Sequence, residues 1–232
     1  MKPQLLAFAL LCLLITACQG VSTDLGSGES TGEPREDFVF VFLLSGPNQD
    51  LPPDELEKAF AGHFANMGRL AEADRLLLAG PLEEPKADPN HRGLFVFDAR
   101  TVDEARSWIE SDPAIAAGAL AYEAYAWSTA APMRAFLQHY KDARAELGGE
   151  PGMRMFVLAS TTERDVATRV IEERSNQVLF HGDFTGGRAG ECLVALDAEN
   201  VDQARDLVGA DEWTFYPWFS TEAHLRALPA TR

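Results

Sequence analysis

Among the side chains of this chain that can do chemistry, His63 is the one whose setting matters most. It lies in HFANMGRLAEADRLLLAGP, residues 63–81, within a stripe that otherwise presents apolar side chains to a core. An imidazole titrating near neutral pH can abstract and return a proton. The plainer alternative is a histidine on a sheet-facing stripe whose polar atoms are satisfied. Of the other four histidines, His91 falls in a loop, His139 and His224 in helices, and His181 at a strand end. They form no HExxH pair and no Cys/His cluster, so neither a metal nor a cofactor is expected. Cys192 stands alone in the apolar run GECLVALD and reads as a small buried hydrophobe. Ser45-Gly46-Pro47 and Ser160 have no nucleophile-elbow context. Gly26-x-Gly28 follows no strand and opens no helix, which removes it as a nucleotide loop. The aromatic cluster Trp213, Phe215, Tyr216, Trp218 and Phe219 reads as core or interface in preference to a ligand platform.

The elements that must position His63 follow from hydrophobic periodicity. Residues 38–44, FVFVFLL, are apolar at every position and too few for a typical helix, which favours a strand buried on both faces. A helix starts near Pro53-Asp54, where proline and acids suit a first turn. Leu56, Phe60, His63, Met67 and Leu70 recur along it at helical spacing, and Phe64 and Ala71 widen the stripe toward the core. Strands over 75–80 and 93–97 follow, then a helix opened by the capping box Thr101-x-x-Glu104, with Ala105, Trp108 and Ile109 on its apolar face. Asp112-Pro113 ends that helix, and residues 119–127 make a fourth strand. The order strand, helix, strand, strand, helix, strand is that of a ferredoxin-like α+β unit, with both helices on one face of an antiparallel sheet. Its first strand leaves the other face apolar, and something must pack there.

The second half supplies the same order: RMFVLAS, a helix over 162–174, QVLFHG, GECLVALD, NVDQARDLV and EWTFYPWF. Gly80 corresponds to Gly182, and Asp98-Ala99 to Asp197-Ala198. An internal repeat is the simplest explanation. The expected fold is therefore two ferredoxin-like β-α-β-β-α-β units, 38–130 and 151–232, packed as an intrachain pseudo-dimer like a dimeric α/β barrel. Residues 131–150 form an amphipathic helix between them, with Met133, Phe136, Leu137, Tyr140 and Leu147 on its apolar side, and a short helix over 221–228 closes the chain.

Location is written at the start. Lys2 and the apolar run 5–15 read as a secretory signal over residues 1–17. Its end, Ile15-Thr16-Ala17-Cys18, resembles a bacterial lipobox, in which cleavage precedes a cysteine acylated with diacylglycerol. An ordinary signal peptide beside a chance cysteine is the alternative. The resemblance implies a lipid on Cys18 as the membrane partner and an extracytoplasmic or periplasmic location, with Gln19 favouring the outer membrane. Residues 18–37, rich in Gly, Ser, Thr and acids, read as a flexible tether with a reach of about 23 Å. A formal charge of −16 and a pI near 4.6 argue against nucleic acid as a partner.

His63, LLLAGPL, GLFVFDARTVDEA and Asp112-Pro113 together resemble a YCII-related domain over residues 38–127, and the second unit resembles the same family more weakly through VLFHGDF and LDAENVDQA. Members of that family are dimeric α+β proteins whose sheets pack face to face, so the resemblance implies that one chain holds both halves of such a dimer. It also implies that His63 and Asp112 face a common pocket as a catalytic pair, with the carboxylate fixing the imidazole tautomer. The second copy has Asp165 where a gap-free count places the histidine, and Asp211 is followed by Glu212 in place of proline, so at most one of two pockets is expected to be active. Two functions stay open. One is an envelope lipoprotein that binds a small organic molecule or a protein partner. The other is a small-molecule lyase or isomerase, acting on a small organic acid through His63 and Asp112.

Overall fold

β1 (Glu36–Ser45) is the strand on which the first half is built, and its unbroken apolar run explains why. Phe38, Phe40 and Phe42 enter one core, while Val39, Val41 and Leu43 enter another. A strand buried on both faces has no polar side and needs cover on each. The computed structural model describes residues 34–209 and 212–229. The segment expected to be a signal (1–17), Cys18, the tether up to residue 33, and Asp211 lie outside the described residues.

After β1 come α1 (Pro53–Glu72), β2 (Leu76–Pro81), β3 (His91–Phe97), α2 (Val102–Glu110), the single turn α3 (Pro113–Ala116) and β4 (Leu120–Thr129). The helices cover the face that carries Val39, Val41, Phe95 and Phe97. α4 (Met133–Leu147) then leads to β5 (Met153–Thr161), α5 (Arg164–Glu173), β6 (Val178–Phe184), β7 (Cys192–Leu196), α6 (Val201–Val208), β8 (Thr214–Thr221) and a closing 3-10 helix (Glu222–Ala227). α5 and α6 cover Val157, Ala159, Val194 and Leu196 in the same manner. The two halves also share their helix starts. Thr101 accepts from Glu104 N at 3.2 Å and Asn200 accepts from Gln203 N at 2.9 Å, each satisfying an orphan donor of the first turn.

All strand pairs are antiparallel, in the order β2-β3-β1-β4-β6-β7-β5-β8. The fold is mixed α/β with a nearly closed antiparallel sheet. One seam joins β4 to β6 through Trp127↔Phe184 and Ser128↔Asp183. At the other, Leu82 bridges Trp218, Glu83 N donates to Pro217 O at 2.8 Å, and Ser220 Oγ donates to Ala79 O at 3.2 Å. Register repeats as well: Phe38 faces Trp127 and Phe156 faces Trp218. Each tryptophan lies against a glycine across a seam. A Cβ on Gly182 would fall 2.4 Å from the Trp127 ring, and one on Gly80 would fall 2.3 Å from Phe219 O. Closure at both seams leaves little edge for another strand to pair with.

The interior shared by both halves holds Phe38, Phe40, Phe42, Trp127, Phe156, Phe180, Phe184 and Trp218, and α4 reaches it with Met133, Phe136 and Leu137. Three stripe assignments need correction. Phe64 is 64% exposed and Leu56 39% exposed, because helix α1 turns only Ala59, His63, Asn66 and Leu70 fully inward. Leu147 is 63% exposed, since α4 runs past the sheet before ending at Gly148, a left-handed cap with φ 63°. His91 is the first residue of β3, buried and stacked on Phe42 at 4.7 Å, and not a loop residue. Among the described residues no helix is long and apolar enough to cross a membrane.

Candidate functional site

Helix spacing at α1 puts His63 on the buried side, one turn after Ala59, one before Asn66 and two before Leu70. Its ring lies 5.8 Å from Phe95 in a stacked geometry and 5.9 Å and 5.3 Å from Phe60 and Phe64 edge-on. Asp112 reaches it from the α2–α3 junction. Its backbone is extended (φ −73°, ψ 122°), and it caps α3, whose first residue, Pro113, has no N–H to satisfy. The structure brings the two together, with His63 Nδ1 2.8 Å from Asp112 Oδ2. Gly62 permits this approach. A Cβ there would lie 2.8 Å from Pro113 Cβ and Cγ, so a side chain at position 62 would hold α3 off α1.

Both groups are buried, His63 at 6% exposure and Asp112 at 1%. Burial raises the Asp112 carboxyl, but the His63 hydrogen bond and charge and the backbone N–H groups of Ala114 (2.9 Å) and Ile115 (3.4 Å) outweigh it and hold the group below its ordinary value. An ionised carboxylate only accepts, so Nδ1 is the donor. In the neutral imidazole the lone pair is then on Nε2. That atom has no hydrogen-bond partner among the described residues, yet it is absent from the fully buried polar atoms left unpaired, so it touches solvent. The arrangement is an oriented base with a fixed tautomer and a carboxylate that stabilises the imidazolium.

Sequence reasoning passed over the residues beside this pair. Asn66, buried, accepts from Arg69 Nη2 at 2.7 Å, and the same nitrogen lies 3.4 Å from Ser111 Oγ, next to Asp112. Arg69 thus ties α1 to the α2–α3 junction. A glycine inside a long helix, one residue before the histidine, was the available signal for Gly62, since mid-helix glycine costs about 1 kcal/mol relative to alanine.

The remaining candidates lie apart from the pair. Cys192 is buried in β7, and burial pushes its thiol up to about 12. His181 lies in β6, His139 in α4 and His224 in the closing 3-10 helix. Asp165 is exposed in the first turn of α5. Trp213 and Phe215 pack under α6, while Tyr216 and Trp218 face the shared interior. Among the described residues no group of three or more His, Cys, Asp and Glu is placed to hold a metal.

Similarity to known proteins follows the first unit. Residues 39–128 match the YCII-related domain. Protein YciI of Escherichia coli O6:H1 is 36% identical over 75 residues, 28% of this chain and 74% of that protein, and Protein YciI of Shigella flexneri gives the same values. Two mutant chlorite dismutases from Candidatus Nitrospira defluvii, each 12% identical, superimpose with a TM-score of 0.51 over 82% of this chain and 94% or 93% of theirs. That likeness concerns the fold alone. Through residues 39–128, which carry β1 to β4, the chain belongs to the YCII-related domain family.

Proposed function

We propose that this chain is an envelope-anchored YCII-domain protein that binds a small organic acid and moves a proton on it with His63 and Asp112. The observation that supports this most is the 2.8 Å contact between Nδ1 and a carboxylate whose second oxygen is already held by the first turn of α3. Asp112 is thereby fixed before any ligand arrives, and Nε2 is the atom left to act. In an elimination or isomerisation Nε2 takes a proton from the substrate and the imidazolium returns it, so no net acid or base is consumed.

A purely binding role is the second reading, favoured by the 6% exposure of His63 and the three phenylalanine rings around it. One experiment separates them. Native mass spectrometry of protein drawn from its own envelope should detect a retained organic acid, lost in His63→Gln. Incubation in D2O should add deuterium to that acid if proton transfer occurs. Retention without exchange selects the binding role, and an empty protein with no histidine dependence sinks both.

The second unit, 151–232, is proposed as a degenerate YCII copy, and the whole chain as an intrachain pseudo-dimer. The matched registers at Phe38/Trp127 and Phe156/Trp218 support this, as do the paired seam glycines. Lipid on Cys18 is proposed as the anchor, in the outer membrane where the envelope has two. Cys18→Ala should then shift the protein from the membrane fraction to the soluble fraction and abolish palmitate labelling. Continued membrane retention would refute the anchor.

A further inference from the structure

His63, Asn66 and Arg69 follow one another along α1 at three-residue spacing. Side chains so spaced are neighbours on a helix surface, with Cβ atoms about 5–6 Å apart. The proton positions in this row follow from their partners. Arg69 Nη2 donates to Asn66 Oδ1 at 2.7 Å and to Ser111 Oγ at 3.4 Å. Ser111 Oγ gives its own proton to Trp108 O at 2.7 Å, so toward Arg69 it accepts. Both protons of Nη2 are thereby engaged, and the N–H groups of Nε and Nη1 have no partner among the described residues. Nor does Arg69 pair with a carboxylate among the described residues, in a chain with 36 acidic and 20 basic side chains. With Oδ1 held by Arg69, the Asn66 amide is fixed, and the two N–H donors of Nδ2 meet no acceptor among the described residues. Asn66 is only 8% exposed, yet Nδ2 is absent from the fully buried polar atoms left unpaired, so it touches solvent as His63 Nε2 does.

The row therefore offers a ligand a lone pair, a neutral donor and a cation, in that order. A 2-oxo acid carries the complementary series on consecutive carbons: an acidic C–H, a carbonyl oxygen and a carboxylate. Arg69 reaches back along the helix to Asn66, which brings the cation within the span of so small an acid. With His63 as the base proposed above, on which this site depends, we propose that the three residues form one subsite for a 2-oxo acid. Asn66 Nδ2 donates to the carbonyl oxygen, Arg69 holds the carboxylate, and Nε2 faces the C–H at C3. Nε2 takes that proton, the C–H electron pair becomes the C2–C3 double bond, and the carbonyl oxygen takes the charge beside the Asn66 N–H groups. Return of the proton from the imidazolium to oxygen gives the enol, and return to C3 restores the oxo acid, so no co-reactant is needed. A donor placed at such an oxyanion contributes roughly a hundredfold to turnover. A charge-assisted hydrogen bond to the carboxylate contributes on the order of tenfold or more to binding.

The test uses the full chain and 2-oxobutanoate in D2O, with loss of the C3 proton signal followed by 1H NMR against buffer alone. Exchange should be catalysed by the parent protein and absent in His63→Gln. Asn66→Asp keeps the side-chain shape and the Arg69 contact but has no donor, so kcat should fall about a hundredfold while circular dichroism stays that of the parent. Arg69 is exposed, and Arg69→Gln removes only its charge. In that variant the preference in kcat/KM for the acid over its methyl ester should fall by about tenfold or more, a ratio that a change in packing alone would not move. Exchange that depends on His63 but on neither Asn66 nor Arg69 would overturn the subsite and leave the base standing. Calorimetric binding of 2-oxobutanoate that weakens in both Asn66→Asp and Arg69→Gln, without exchange, would support the subsite and overturn the base. Neither binding nor exchange would overturn the subsite, and a different organic acid retained in native mass spectrometry would then leave the reading of His63 intact.

Discussion

Asp112 serves two partners at once, capping α3 with one oxygen and orienting His63 with the other. Asp112→Ala removes both and leaves a buried imidazole unpaired, which should cost about 3 kcal/mol by urea unfolding at neutral pH. The sign of its pH dependence follows from its pKa, which folding lowers below the ordinary 3.8. The unfolded chain binds the proton more readily, so this contribution is complete above that value and is lost as pH falls through the folded pKa. Unfolding free energies between pH 5 and 2 should therefore drop less steeply in Asp112→Asn than in the parent. An equal slope would show that the carboxylate is not the group lost. His63 stood out in the sequence as a polar residue on an apolar stripe. Its contact with Asp112 spans 49 positions and depends on how a four-residue helix docks, which periodicity does not encode.

Helix α1 offers a comparison within one element. Gly62 and Gly68 lie six residues apart, and helix propensity alone would make alanine better by about 1 kcal/mol at each. Gly68→Ala meets nothing within 4 Å and should raise the unfolding free energy by roughly that amount. Gly62→Ala puts a Cβ 2.8 Å from the Pro113 ring, which cannot swing away, and should lower stability by about 1–3 kcal/mol. The Nδ1 proton of His63 should broaden or shift in that variant alone. Matching behaviour of the two would mean that α3 is free to move. The start of α1 and the inward side of His63 and Leu70 were legible because proline, acids and the three-four spacing all agree there. Phe64 was misread because a stripe wide enough to be buried on one helix is buried only where a neighbour covers it. On that side the neighbour is α4, which stands across a cleft.

At the scale of the whole molecule, the two-sided apolar run of β1 required a second layer, and the second half of the chain supplies it. The seams were not legible, because the contacts of Gly80 with Trp218 and of Gly182 with Trp127 join residues whose pairing emerges only when the sheet closes. A Cβ at either glycine meets main chain or a fully buried ring, so Gly80→Ala and Gly182→Ala should each lower stability by about 3 kcal/mol, at the upper end for overpacking. Closure also bears on oligomeric state. In the full chain Phe38, Phe40, Phe42 and Trp127 are covered by the second half, which removes the surface that a dimer of single units would use. The Cys18→Ala protein should therefore run as a monomer in light scattering. Residues 34–131 expressed alone should dimerise or aggregate, and should be rescued on mixing with residues 132–232, because the exposed aromatic face must find cover. A first half that stays folded and monomeric, or a full chain that is an obligate dimer, would place the partner of that face outside this chain.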